Sequence, residues 1–299
     1  MESAAIQEIL QTMTCPFSPA QASLTQLVHE EDGAPYQVYR IEADGKHYIL
    51  KQAKEYEAEV YQKLLKDAGS CVPKIYATAE AAGETYLLME YIPGGDLRKC
   101  TRHALILALD ALIALQKSYW NSDSTVGYTY EESLVHRKKR GTYLCDPQLE
   151  QAYEIFLKDY ASLPRTLCHD DLLPFNVLFA GERAVFIDWE FAGILPYPTS
   201  FARLIAHGEE DENAFFHMTA ADREFAIDYY YEKLLAEQGI SYRAWREALL
   251  SFLLYEACEW VMIGNKYGEK DSPYFQKYLP MAKHLAEEMQ KRTAEAPCE

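Results

Sequence analysis

Apolar residues recur along this chain in two rhythms, and the rhythm changes near residue 93. Behind Ser3, the residues Ile6, Ile9, Leu10 and Met13 fall at spacings of three and four, which predicts a first helix. From Leu24 to Tyr91 the pattern is mostly that of strands. Tyr36 to Ile41 and Tyr48 to Lys51 flank Asp44-Gly45, a strong hairpin signal. Ala58, Tyr61, Leu64, Leu65 and Ala68 share one face of a predicted helix, with Gly69 placed as its stop. Lys74 to Glu80 and Thr85 to Tyr91 then predict two strands around Ala82-Gly83, and Pro93-Gly94-Gly95 breaks the pattern.

Beyond that break the period is helical, over residues 102–120, 147–161, 220–237, 242–264 and 275–292. One strand-like island, Thr166 to Asp188, interrupts it. Within the island Asn176 to Phe179 and Ala184 to Ile187 surround Ala180-Gly181-Glu182. The expected architecture is an α+β fold of two lobes. Residues 1–92 form a small β-rich N-terminal lobe, and residues 93–299 form a larger, mainly helical C-terminal lobe.

Length agrees, since 299 residues at about 150 per domain suit one large domain or two lobes. Charge narrows the partners. The 29 Lys and Arg against 46 Asp and Glu give −17, which argues against nucleic acid and against an anionic membrane surface. It is compatible with a cationic small molecule. No apolar run approaches the roughly 20 residues of a membrane span, and the start shows no basic and apolar signal pattern. The seven cysteines are scattered with no Cys-x-x-Cys pair, so reduced thiols in a cytoplasmic protein are expected.

The island carries the candidate chemistry. It reads Leu167-Cys168-His169-Asp170-Asp171-Leu172-Leu173-Pro174-Phe175-Asn176, a His-x-Asp-x-x-x-x-Asn pattern, and Phe186-Ile187-Asp188-Trp189-Glu190 follows. Phosphoryl transfer needs one carboxylate to orient a hydroxyl and take its proton, and an amide oxygen and a second carboxylate to hold Mg²⁺ on phosphates. A loop from Asp171 to Asn176 can present both groups toward one point, and a hairpin returns Asp188 beside Asn176. A plain polar loop and hairpin predicts neither the spacing nor the returning acid. Asp170 beside Asp171 leaves a second register, and the distance to Asn176 favours Asp171 as the base.

On these residues the chain resembles the aminoglycoside phosphotransferase and choline kinase family, small-molecule kinases with a protein-kinase-like fold. Asp170 stands where protein kinases usually have Arg, and Asp188-Trp189-Glu190 where they have Asp-Phe-Gly; both favour the small-molecule branch. The resemblance implies ATP and Mg²⁺ as cofactors and a small-molecule hydroxyl as acceptor. It implies Asp171 as base with His169 in the catalytic loop, and Asn176 and Asp188 as metal ligands. Lys51, which ends Tyr48-Ile49-Leu50-Lys51, would contact the α/β-phosphates. Glu57 is preferred over Glu59 as its partner. In Leu87-Leu88-Met89-Glu90-Tyr91-Ile92, Met89 would line the adenine pocket, and the Glu90 carbonyl and Ile92 N–H would meet the base. The phosphate-covering loop would be Val28 to Pro35, with one glycine and adjacent acids Glu30, Glu31 and Asp32. Ser200 falls where the family usually has an Asp that supports the catalytic loop.

The helical lobe is expected to supply the acceptor pocket. The acidic run Glu209 to Glu212 and the aromatic-rich C-terminal region suit a cationic acceptor, aminoglycoside- or choline-like, because aromatic faces attract ammonium groups. Solvated turns and core packing account for the same features. Glu190, Glu256 and Trp260 are the candidate acceptor residues. A choline- or ethanolamine-type kinase is the narrower alternative, and a nucleotide-binding pseudokinase or protein-interaction module is the alternative of another class.

Overall fold

The computed structural model describes residues 3–28 and 33–295. The N-terminal part runs α1 (Ser3–Thr12), β1 (Ser23–Val28), β2 (Pro35–Ala43), β3 (Lys46–Gln52), α2 (Glu57–Lys63), β4 (Ile75–Ala81) and β5 (Glu84–Glu90). The strands form one antiparallel sheet in the order β1-β2-β3-β5-β4. Asp44 and Gly45 both take positive φ, as do Ala82 and Gly83, the backbone that two-residue hairpin turns require. Alternation then assigns the faces. Tyr39, Ile41, Tyr48, Leu50, Tyr86 and Leu88 pack with Ile6, Ile9 and Leu10 of α1 and with Met13 just beyond its end. Ile49, Lys51, Leu87 and Met89 point the other way, so period two delivers Lys51 to the opposite face from the α1 core.

The C-terminal part runs α3 (Arg102–Ser118), α4 (Tyr130–Gly141), α5 (Pro147–Ser162), β6 (Arg165–Cys168), β7 (Val177–Ala180), β8 (Arg183–Phe186), β9 (Gly193–Pro196), α6 (Pro198–Ile205), α7 (Ala220–Tyr230), α8 (Tyr242–Tyr267) and α9 (Pro273–Glu295). β7 and β8 form the expected hairpin, and β6 pairs with β9. α8 is the central helix, packed on α5, α6 and α9. This is a two-lobed α+β fold.

Several boundaries depart from the sequence pattern. α2 ends at Lys63, short of Gly69. Leu64 and Leu65 both donate their N–H groups to the Val60 carbonyl, and the Tyr119 hydroxyl donates to the Leu64 carbonyl. A hydroxyl from the other lobe thus supplies a donor where the next helical turn would. The helix expected over 220–237 is α7 followed by a π-helical turn, Tyr231–Leu235. α4 carries no apolar stripe, since its buried residues are Ser133 and Arg137. The signal for it was local: Thr129 and Glu132 form a reciprocal capping box. β9 and α6 lie in a stretch buried on all sides, where periodicity says little.

The connection between the lobes is stitched to the β7–β8 hairpin. The Phe179 N–H donates to the Gly95 carbonyl (3.0 Å), and the backbone at Gly94 lies against Phe179. A Cβ on Gly94 would sit 1.9 Å from the Phe179 carbonyl oxygen, whereas one on Gly95 would meet nothing within 4 Å. Gly94→Ala is therefore expected to cost about 1–3 kcal/mol through overpacking, and Gly95→Ala to be near neutral. Thermal unfolding of the two variants side by side checks this, and equal midpoints would show that the linker can move away from the hairpin.

Candidate active site

Strand β6 ends at Cys168 and delivers the loop 169–176 into the seam between the lobes. Two fixed points hold the start of this loop. The His169 N–H donates to the Ser200 hydroxyl (2.8 Å), so Ser200 does supply an acceptor to the loop from α6. The His169 ring is buried against Trp189, with centroids 4.6 Å apart, and its Nε2 lies 2.7 Å from the Ile187 carbonyl. A carbonyl only accepts, so Nε2 carries the proton. Burial pushes the ring down to about 4, which keeps it neutral, and Nδ1 has no partner. His169 is thus a tie between the loop and the segment before Asp188, away from either cavity described below.

The loop then turns through Asp170, whose φ is +57°, a conformation that Asp tolerates better than most residues. That turn sends Asp170 and Asp171 to different arginines. Asp170 pairs with the buried Arg137 at 2.5 Å. Arg203 of α6 donates to Oδ1 of Asp171 through Nε (3.1 Å) and Nη2 (2.8 Å). Both bonds fall on Oδ1, so Oδ2 keeps its lone pairs. Burial raises the Asp171 carboxyl to about 6, against the downward pull of Arg203. The Asn176 amide donates to the Asp171 carbonyl (2.8 Å), which leaves the Asn176 side-chain oxygen as an acceptor. The Ile187 N–H donates to the Asn176 carbonyl (3.0 Å), and this sets Asp188 beside Asn176.

Asp188 also has positive φ, +68°. Its carboxylate meets Lys51, which is 2.7 Å from Glu57 of α2. Glu59 instead pairs with Lys63 on the surface, so Glu57 is the helix carboxylate that reaches the lysine. Burial would lift the Asp188 carboxyl, and Lys51 outweighs it and holds the group below its ordinary range. One strand, one helix and the returning loop are joined across the seam by these three charges.

Two cavities flank the catalytic-loop residues. The first, about 390 Å³, lies between the lobes. Val38, Ile49, Met89, Leu178 and Ile187 give it apolar walls, Glu90 and Ile92 lie along its edge, and Lys51, Asn176 and Asp188 lie at its polar end. The Glu90 side chain is turned to Arg183 (2.5 Å). Of the phosphate-covering loop expected at Val28 to Pro35, His29 to Asp32 lie outside the described residues. The second cavity, about 690 Å³, lies in the helical lobe and is lined by Asp170, Asp171 and Arg203 together with side chains of α4 and α8.

The expected acceptor residues are not in the second cavity. Trp260 is stacked on Tyr274 and Tyr278, with centroids 4.3 and 5.8 Å away. Glu256 is buried beneath Arg203 at 2.8 Å. Glu190 lies at the lobe seam 3.8 Å from Lys54. The acidic run is a turn at the surface, where Glu209 pairs with Lys277. On α8 the wall is built by Tyr255, Glu259, Met262 and Lys266, the neighbouring helical face. Arg203, Arg137 and Glu259 went unnoticed in the sequence. Arg203 follows Ser200 by one helical turn, which is the signal that would have found it.

Oxygen donors at Asn176 and Asp188 suit a hard cation such as Mg²⁺, which is commonly bound by one or two protein oxygens together with phosphate and water. Among the described residues no cluster of three or more His, Cys, Asp or Glu could hold a metal by itself. The electrostatics give a direct expectation for Asp171. Its carboxyl is expected to titrate near pH 6, read as the infrared carboxylate band that Asp171→Asn removes. Arg203→Lys weakens the fork and leaves burial less opposed, so the midpoint should move upward. An unchanged midpoint would show that Arg203 does not set the charge of Asp171.

The chain is 28% identical over 172 residues to Protein LicA of Haemophilus influenzae, a match that spans 52% of this chain and 45% of that relative. Its fold resembles a choline/ethanolamine kinase family protein from Mesorhizobium loti, with a TM-score of 0.61, 19% identity and 91% of each chain covered. It also resembles an aminoglycoside phosphotransferase APH(4)-Ia mutant in complex with AMP-PNP and hygromycin B, with a TM-score of 0.58, 16% identity, and 98% of this chain and 100% of that one covered. The sequence profile of the APH phosphotransferase enzyme family matches residues 29–235, and the chain belongs to that family.

Proposed function

We propose that the protein is an ATP- and Mg²⁺-dependent kinase of a small-molecule hydroxyl, with the lobes divided at residues 92 and 93. The observation that carries this reading is that Lys51, Asn176 and Asp188 line the polar end of one cavity while Asp171, whose carbonyl accepts from the Asn176 amide, lines the other. The apolar slab of the first cavity suits adenine, with the backbone of Glu90 and Ile92 at its edge. Lys51, held by Glu57, is placed for the α/β-phosphates. Asn176 and Asp188 would hold Mg²⁺, which neutralises charge on the phosphates. Asp171 Oδ2 accepts the proton of the acceptor hydroxyl. The acceptor oxygen forms the new P–O bond, and the β–γ bridging oxygen leaves with ADP. The six described cysteines are all free, which supports a reducing, cytoplasmic setting.

A cationic acceptor of choline or aminoglycoside type is the reading that the structural neighbours' substrate classes favour. Its original grounds in this chain, Glu256, Trp260 and the acidic run, lie outside the second cavity. A pseudokinase role is disfavoured because the ion triad and the catalytic loop are assembled together.

Asp171→Asn is expected to lower kcat by about 10²–10⁴-fold, the range of a lost general base, with nucleotide affinity kept, because Asp171 touches the acceptor side. Asp188→Ala is expected to abolish the tightening of ATP binding by Mg²⁺. Calorimetry with and without Mg²⁺, beside an ADP-release assay over a panel of alcohols, checks both. Full turnover by Asp171→Asn would move the role of base to Asp170.

A further inference from the structure

We infer that the acceptor is an anionic alcohol, a hydroxyl compound bearing a carboxylate or phosphate. This deepens the proposed function and rests on the second cavity being the acceptor site. Within a chain of net charge −17, that cavity is lined by Arg137, Lys139, Arg140, Arg203 and Lys266 against Asp170, Asp171 and Glu259.

The carboxylates are already matched by arginines. Asp170 takes Arg137 (2.5 Å), and Asp171 takes Arg203 (2.8 Å). Glu259 takes both Arg140 (2.5 Å) and Arg203 (2.6 Å), and these hold its carboxyl at about 2 although burial pushes it up. A cationic acceptor would therefore find no carboxylate there without an arginine partner.

Three of the five Tyr and Phe rings that line the cavity are matched as well. Arg137 lies over Tyr255 at 4.8 Å, and over Tyr160 behind it at 4.5 Å. Lys266 lies 5.8 Å from the Tyr143 ring centre and 4.7 Å from that of Tyr267. Tyr143, Tyr255 and Tyr267 thus already face the protein's own cations, while Tyr128 and Phe191 of the same cavity lie against each other at 6.0 Å.

What remains in surplus is positive. Lys139 of α4 and Lys266 of α8 line the exposed rim of the same cavity from two helices; Lys266 donates to the Tyr267 hydroxyl (2.9 Å), and neither lysine has a carboxylate partner among the described residues. Ammonium donors on two walls of one cavity suit an anion, to which charge-assisted hydrogen bonds are the stronger kind. Asp171 lines the same cavity, so an acceptor whose hydroxyl meets Asp171 Oδ2 can place its anionic group toward the two lysines.

The test separates binding from turnover. Choline, glycerol, D-glycerate and glycerol 3-phosphate are titrated by calorimetry into the 299-residue chain saturated with Mg²⁺ and a non-hydrolysable ATP analogue. The same compounds are then assayed for ADP release with Mg²⁺-ATP. The expected result is that glycerate or glycerol 3-phosphate binds more tightly than choline and glycerol. Lys139→Ala and Lys266→Ala are each expected to weaken that binding about tenfold, a change of about 1.4 kcal/mol, and raised salt to weaken it further. Preference between the two anions tells carboxylate from phosphate recognition. Choline binding best, with Lys266→Ala leaving it unchanged or tighter, overturns the inference, and turnover of choline would then leave the kinase reading standing. Anion binding lost in both lysine variants but without any ADP release supports the charge assignment and counts against the kinase reading. No binding by any of the four overturns the inference.

Discussion

Carboxylates gathered around one loop repel one another, and this protein brings five of them together: Asp170, Asp171, Asp188, Glu256 and Glu259. Four cations drawn from different elements hold them: Lys51 from β3, Arg137 and Arg140 from α4, and Arg203 from α6. Burying either sign alone would cost several kcal/mol per ion. The pairs therefore oblige β3, α4, α6 and α8 to converge on the loop. Removing one partner would leave a charge buried without compensation, so the network constrains geometry more than it adds stability.

Arg203 is the hub of this arrangement. One guanidinium reaches Asp171, Glu256 and Glu259 at once, which its planar fork allows and a lysine would not. It fixes Oδ1 of Asp171 and moderates the effect of burial on that carboxyl. Ser200, one turn earlier on the same helix, holds the His169 N–H. One short helix thus orients both the beginning of the loop and the Asp171 carboxylate. A neutral Ser is sufficient at the first point, because the group to be satisfied is a single backbone donor.

The two sides of the site differ in kind. The first cavity is an apolar slab ending in Lys51, Asn176 and Asp188, groups of the kind that phosphoryl transfer uses to hold phosphates and their metal. The other side is built of ring faces and charges that already answer one another. The charge left over on that side is carried by lysines on α4 and α8, and the proposed selectivity rests on them.

The sequence alone determined the two-lobed fold and which candidate residues one loop and one hairpin bring to the seam, because both depend on local rules. Alternation in β3 sent Lys51 away from the α1 core, paired positive-φ turns fixed the hairpins, and the spacing from Asp171 to Asn176 and on to Asp188 sets what one loop and one hairpin can bring together. Tertiary structure alone decided what lines the second cavity. Glu256 and Glu259 lie three residues apart on α8, and composition gives no reason to prefer either. The rotation of that helix buries Glu256 beneath Arg203 and turns Glu259 toward the cavity. Trp260, plausible as a wall by residue type, is taken up by stacking with Tyr274 and Tyr278 of α9. α4 was obscured because what it buries is an arginine and a serine, whose partners Asp170 and Tyr160 are distant in sequence. Such pairings depend on long-range contacts between helices, and periodicity carries no information about them.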